Sequence, residues 1–113
     1  MAKIETWIRQ DMDDFVNVVQ LRGGIYQDDE GGNLIGVELY KGGEPYSPGG
    51  TVSALITPPD GETFEEAGSL DGNRASVVLP ADAYALRGQE KIIIKLTQGD
   101  DVTTIGSFVV TVF

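Results

Sequence analysis

Histidine and cysteine are both missing from this chain of 113 residues. Without cysteine the chain can form no disulfide and no thiolate metal site. Without histidine it lacks the usual general base near neutral pH and the commonest metal ligand. Ser-His-Asp and Cys-His arrangements are therefore excluded, and an enzyme would have only carboxylate, lysine or tyrosine chemistry to use.

Positive charge is scarce. The chain has 8 Lys and Arg against 18 Asp and Glu, a formal net charge of −10. The basic residues are scattered along the sequence, whereas proteins that bind phosphate backbones cluster them. We therefore expect neither a nucleic-acid partner nor an anionic membrane partner.

Long apolar runs are also absent, so no segment is long enough to cross a bilayer. The N-terminal residues carry acids early and contain no apolar core of signal-peptide length. We expect a soluble protein made in a cytoplasm, and the length suits one domain with a single core.

Short β-type segments bounded by turns make up most of the chain. Turn signals such as Pro58-Pro59-Asp60-Gly61 and Asp71-Gly72-Asn73 separate segments in which apolar residues alternate. Residues 80–88 suit one helical turn. The pattern predicts an all-β fold, an antiparallel β-sandwich of six to eight strands with a short helical turn near residues 80–88. The predicted strands are residues 15–21, 34–40, 51–57, 63–67, 74–79, 91–96 and 102–113.

Residues 1–14 differ from the rest, and we interpret them as an N-terminal arm on a sandwich domain of residues 15–113. Ile4, Trp7, Ile8 and Met12 recur at spacings of three and four, which would form one apolar face if the arm were helical. The arm could instead be extended, and it could fold over its own core or insert Trp7 into a neighbouring subunit. Because tryptophan is a frequent interface anchor, we predict that Ile4, Trp7 and Ile8 bind a partner.

Acidic clusters are numerous, and the loop Asp28-Asp29-Glu30-Gly31-Gly32-Asn33 is the best candidate for calcium. It lacks the alternating acids and the closing glutamate of an EF-hand. We interpret it as a solvated turn, and we predict no metal, no cofactor and no catalytic residue. Carboxylate pairs of the glycosidase kind are expected by number alone in such an acidic chain.

Aromatic residues offer a second candidate site. Five of them would form a carbohydrate platform if they shared one exposed face, although core packing is the more common fate of aromatic residues in strands. Tyr84 precedes Gly88 at a strand-to-strand crossing, where we expect its hydroxyl to hold the connection in the manner of a tyrosine corner. The five platform candidates are Tyr26, Tyr40, Tyr46, Phe64 and Phe108.

One block of the sequence has a family resemblance. Residues 71–88, followed by Ile92-Ile93-Ile94-Lys95-Leu96, read as a strand ending in Leu-Pro, a helical turn of small residues, a glycine and another strand. This block resembles the N-terminal immunoglobulin-like domain of phage baseplate upper proteins, which recurs in minor structural proteins of tailed phages and of prophages in Gram-positive bacteria. Residues 24–28, 35–39 and 59–61 fall in the family's order, so the resemblance covers residues 15–113.

The resemblance implies an immunoglobulin-like sandwich and a role as a virion structural protein. In that family the domain attaches to the tail or baseplate through protein–protein contacts, and it has no catalytic residues. The implied partners are other virion proteins and further copies of the chain, in a trimer or a ring. Two alternatives remain open, a capsid decoration or head-fibre base protein and a carbohydrate-binding β-sandwich module.

Overall fold

A computed structural model describes residues 4–25 and 32–113, with the backbone alone for residues 22–24. The regular secondary structure of the described chain is β-strand apart from one 3₁₀ turn at Ala81–Tyr84. The strands are β1 Ile4–Asp11, β2 Val18–Ile25, β3 Asn33–Lys41, β4 Glu44–Pro45, β5 Thr51–Thr57, β6 Phe64–Ala67, β7 Ser69–Asp71, β8 Arg74–Val78, β9 Gly88–Gln98 and β10 Asp101–Val112.

Two sheets of five strands each face one another. The first has the order β1-β3-β8-β7, with β4 also paired to β3, and the second has the order β2-β10-β9-β5-β6. Most pairs are antiparallel, but β1 runs parallel to β3 and β2 runs parallel to β10. The described chain therefore passes from β1, an edge strand of the first sheet, over residues 12–17 to β2, an edge strand of the second sheet.

The core lies between the sheets because apolar residues occupy alternate positions of the strands, and alternate side chains point to one face. Ile35, Val37 and Leu39 of β3 face Ile92 and Ile94 of β9, and all five are at most 2 % exposed. Tyr84, fully buried, accepts a hydrogen bond of 3.1 Å at its hydroxyl from Asn33 Nδ2. This bond joins the crossing after β8 to the start of β3, as expected for a structural tyrosine.

The all-β sandwich is confirmed, and the helical turn falls inside the predicted residues 80–88. Two details differ from the prediction. The described residues form ten strands. The prediction missed β1 and the short strands β4 and β7, because their alternation is not long enough to recognise. The sheets are mixed rather than purely antiparallel. The sequence did not indicate the parallel pairs, because parallel pairing between distant segments leaves no turn signal. No helix in the described part of the chain is long and apolar enough to span a membrane.

Candidate interaction surfaces

Trp7 lies on the outer face of the first sheet, against Gly36. The parallel register of β1 and β3 places the two residues opposite each other. A Cβ atom at position 36 would overlap the Trp7 ring, so glycine is what allows the indole to lie flat on the sheet. The indole Nε1 donates a hydrogen bond of 2.9 Å to a carboxylate oxygen of Glu5, on the same face of β1.

Two arginines complete this outer face. The Arg74 guanidinium lies 3.9 Å from the centroid of the Trp7 ring and 3.8 Å from a carboxylate oxygen of Glu38. The Arg9 guanidinium lies 4.8 Å from the centroid of the Tyr40 ring. Cation–π contacts of this kind contribute about 0.5–1 kcal/mol at exposed sites and more where water is excluded. The aromatic rings and cations of the face are thus satisfied within the domain.

The three residues predicted to bind a partner do not share one face. Alternation along β1 puts Trp7 outside, whereas Ile8 packs against the core and Ile4 has the same phase as Ile8. Ile4, at 59 % exposed, is the most accessible of the three. The helical form of the arm is therefore replaced by a strand folded onto its own sheet, and partner binding by these residues stays a prediction.

Hydrogen bonds from the buried Gln10 side chain support the crossing between the sheets. Gln10 is buried, and its Nε2 lies within hydrogen-bond distance of three main-chain carbonyls, those of Asp11, Asp14 and Phe15, at 2.9–3.4 Å. Asp11 accepts hydrogen bonds from the backbone amides of Asp13 and Gly43. A cleft of about 110 Å³ lies beside Gln10 and Asp14 and is too small for a sugar ring. The Asp11 carboxylate stabilises the turn through its backbone hydrogen bonds.

The outer face of the second sheet has a different character. Ile93 lies between Leu55 and Ser107 in the register of β5, β9 and β10, and this half-buried row continues to Val18, which is 67 % exposed. Lys91 and Lys95 flank Ile93 on the same face of β9, as their spacing of two along the strand predicts. Neither lysine has an ion-pair partner among the described residues. The acid opposite Leu55 is Glu65 of the edge strand β6.

A cleft of about 310 Å³ lies at the Lys91 end of this face. Its floor is formed by Lys91 and its strand neighbours, and its wall is the turn that follows β5. The prolines of that turn and Val109 make the cleft partly apolar, and Lys91 supplies the cation. The lining residues are Thr57, Pro58, Pro59, Gly61, Gln89, Glu90, Lys91 and Val109.

Glu90 is a buried carboxyl that the sequence analysis did not single out. It is 1 % exposed, neither carboxylate oxygen has a hydrogen-bond partner, and burial raises its pKa to about 7. Alternation along β9 points it inward with Ile92, whereas Lys91 and Val109 point outward. Glu90 therefore reaches the cleft with its main chain, and its carboxyl belongs to the core. Its phase with Ile92, Ile94 and Leu96 is the sequence signal that would have found it.

The acidic clusters bring no metal site together in the described residues, where no three acidic side chains are grouped closely enough to hold an ion. The loop of residues 28–31, which carries the calcium candidate, lies outside the described residues. At two other acidic turns a carboxylate accepts a backbone hydrogen bond: Asp11 from the amide of Asp13 at 2.9 Å and Asp60 from the amide of Glu62 at 3.0 Å.

The five aromatic candidates do not share one exposed face. Phe108 is fully buried, and Phe64 packs against the core. Tyr40 has the Arg9 guanidinium over its ring, and Tyr46 has the Lys41 ammonium 5.4 Å from its ring centroid. Tyr26 lies outside the described residues. Nothing in the arrangement of the four described rings favours a carbohydrate platform.

Comparison with known proteins gives a match by fold. No family model matches the chain, and a search of curated proteins finds no significant relative. Among solved structures, the chain is similar to the N-terminal domain of ORF48 of phage TP901-1, with a TM-score of 0.62 and 16 % sequence identity. The match covers 96 % of this chain and 97 % of that domain. At this identity the likeness shows that the two share a fold over essentially their whole lengths.

Proposed function

We propose that this chain is a structural module of a phage virion, which acts in the tail or baseplate through protein–protein contacts. The observation that carries the proposal is the fold shared over 96 % of the chain with a domain of a phage protein. The block of residues 71–88 and 92–96, which resembles baseplate upper proteins, is in keeping with the same role. In this role the chain would be made in the host cytoplasm and reside in the virion.

We infer further that the sandwich is of the immunoglobulin-like kind. The order β7-β8-β3 opposite β6-β5-β9-β10 matches the two-sheet arrangement of that class when β3 is taken as its second strand. The buried Tyr84, which is hydrogen-bonded to Asn33, stands at the crossing between two strands of opposite sheets. The parallel strand β1 is then an addition to the common pattern.

A non-enzymatic role is part of the proposal. Histidine and cysteine are absent from the sequence, which removes the usual nucleophile–base pairs. Within the part of the chain that the structure describes, the group with a strongly raised pKa is Glu90, which is 1 % exposed and has its side chain inside the sandwich. A general acid must reach the reacting atom, and a carboxyl enclosed in this way does not. The proposed partners are other virion proteins and further copies of the chain, in a trimer or a ring.

Electron microscopy tests the location directly. Antibodies raised against the purified domain would be applied, with gold labels, to phage particles from the genome that encodes it. We expect labels at the distal end of the tail, and peptides of this chain in the mass spectrum of purified virions. Labels spread over the head would favour the capsid decoration or head-fibre alternative. Virions without the chain would contradict the proposed function.

A further inference from the structure

We propose that the cleft beside Lys91, together with the outer face of the second sheet, docks an acidic segment of a partner protein that carries a large apolar side chain. This inference rests on the proposed function only for the statement that the partner is a virion protein. The chemistry of the partner is argued from the face itself.

The volume of the cleft limits the size of the apolar partner side chain that can enter it, which we call the anchor. At about 310 Å³ it lies at the low end of the range for small-molecule sites, which is about 300–1,000 Å³. That space accepts one large side chain. Pro58, Pro59 and Val109 line it with apolar atoms, which favours an aromatic or long aliphatic anchor.

The charge of the cleft and the face predicts which kind of partner residue lies beside the anchor. Lys91 lies in the cleft lining and Lys95 two positions along the same face, and neither has an ion-pair partner among the described residues. The whole chain, by contrast, carries a net charge of −10. Two unpaired cations beside the half-buried Ile93 and Leu55 are therefore complementary to a carboxylate next to an apolar side chain. The proposed occupant is a segment of a different protein, and self-association through this face is one of the outcomes that the test distinguishes.

The wall of the cleft is already ordered for binding. The Gly61 amide donates a hydrogen bond of 2.9 Å to the Pro58 carbonyl, and Gly61 has a φ of +83° that suits glycine at this point of a turn. The Thr57 and Thr63 hydroxyls are 2.8 Å apart across the base of the turn. Two consecutive prolines restrict the turn further, so little entropy is lost when a ligand enters.

The area of the face sets the expected strength. The five strands lie about 4.8 Å apart, and β5 and β9 pair over seven residues, so the central part of the face measures about 19 Å by 23 Å. This is about half of the roughly 800 Å² per partner of a standard stable interface. A single contact is therefore weak, and repetition in an assembly would strengthen it. A method that detects weak binding is needed.

Nuclear magnetic resonance titration of the isotope-labelled chain tests the proposal with small probes. The probes are the blocked dipeptides acetyl-Asp-Phe-amide, acetyl-Lys-Phe-amide and acetyl-Asp-Ala-amide. We expect saturable shifts at the amides of Thr57, Lys91 and Val109 for the Asp-Phe probe. Its dissociation constant should be about fivefold lower than for either of the other two.

The Lys91→Glu variant is the decisive control, and Lys41→Glu is the matched charge change away from the cleft. We expect Lys91→Glu to remove the preference for Asp-Phe over Lys-Phe and Lys41→Glu to preserve it. Equal binding of all three probes, shifts confined to other surfaces, or an unchanged preference in Lys91→Glu would each overturn the proposal. So would self-association through this face, seen as a concentration-dependent mass that Lys91→Glu abolishes. None of these results depends on whether the chain is found in virions, so the two proposals fail separately.

Discussion

On the outer face of the first sheet, Arg74 lies over Trp7 and beside Glu38, whereas on the outer face of the second sheet Lys91 and Lys95 have no described ion-pair partner. Both faces are built by the same alternation of inward and outward side chains. On the first face the outward groups contact one another across β1, β3 and β8. On the second they are mostly hydroxyls, half-buried aliphatics and free cations.

The difference teaches which face is part of the fold and which is available. Charged and aromatic groups that satisfy one another hold the N-terminal strand in place and leave little to offer a partner. We expect Lys91 and Lys95, which have no ion-pair partner among the described residues, to contribute little to the stability of the isolated domain. A contact face is more easily found by asking which polar groups lack partners than by asking which residues are exposed.

The largest expected effect concerns the core between the two faces. Burial raises the pKa of Glu90 from 4.5 in the unfolded chain to about 7 in the fold, so we expect this carboxyl to make stability depend on pH between those values. Between those values the native state keeps a proton that the unfolded state has lost, so stability falls as pH rises. The contribution is complete below about pH 4.5 and lost above about pH 7, a total of about 3 kcal/mol.

Urea unfolding at several pH values measures this response. We expect Glu90→Gln to remove the loss between about pH 4.5 and pH 7, with the exposed Glu65→Gln as the unaffected control. A pH response identical in Glu90→Gln and in the wild type would mean that surface charges dominate, and the comparison of the two faces would then need a different basis.

Next in size is the contact between Trp7 and Gly36. Gly36→Ala would force the indole off the sheet, and we expect a loss of about 2 kcal/mol of unfolding free energy. Ser107→Ala, a small substitution on the outer face of the second sheet, should change it by less than about 0.5 kcal/mol. Chemical denaturation followed by circular dichroism measures both, and it needs no tryptophan.

A double substitution isolates that contact. In a Trp7→Ala background the ring is gone, so Gly36→Ala should become nearly neutral. An equal cost in both backgrounds would show that the alanine strains the backbone and that the indole is not held by this glycine.

The smallest expected effect separates the cations of the two faces. Arg74→Ala removes the contacts to Trp7 and Glu38 and should cost about 1 kcal/mol, whereas Lys95→Ala should change the unfolding free energy by less than about 0.5 kcal/mol. Unfolding at low and high salt measures both. Similar losses of unfolding free energy in the two variants would contradict the distinction between a first face whose cations have partners and a second face whose cations do not.

Much of this architecture was readable in the sequence, because strands β3, β5, β8 and β9 have apolar residues at alternate positions and turn residues near their ends. The position of β1 was not readable. The spacing of Ile4, Trp7 and Ile8 suits a helix, and only the pairing with β3 shows that Trp7 lies opposite a glycine. Long-range register of this kind depends on contacts that no local pattern encodes.

Only part of the candidate contact face could be predicted from the sequence. The sequence places Lys91 and Lys95 on one side of a strand beside Ile93, but their lack of partners depends on which residues lie opposite in β5 and β10. The cleft beside Lys91 depends on how the turn after β5 folds against β9, where Pro59 lies close to Gly88. A turn signal predicts that a turn exists and does not predict the surface it covers.

Lysine acetylation of assembled particles tests the central claim most directly, since it measures which face is covered. The free domain and purified virions would be treated with the same reagent, and the modification of each lysine quantified by mass spectrometry. The account predicts that Lys91 and Lys95 lose reactivity on assembly while Lys41, beside Tyr46 at the turn after β3, remains reactive. Lysines 91 and 95 that react equally in the free domain and in the virion would contradict it.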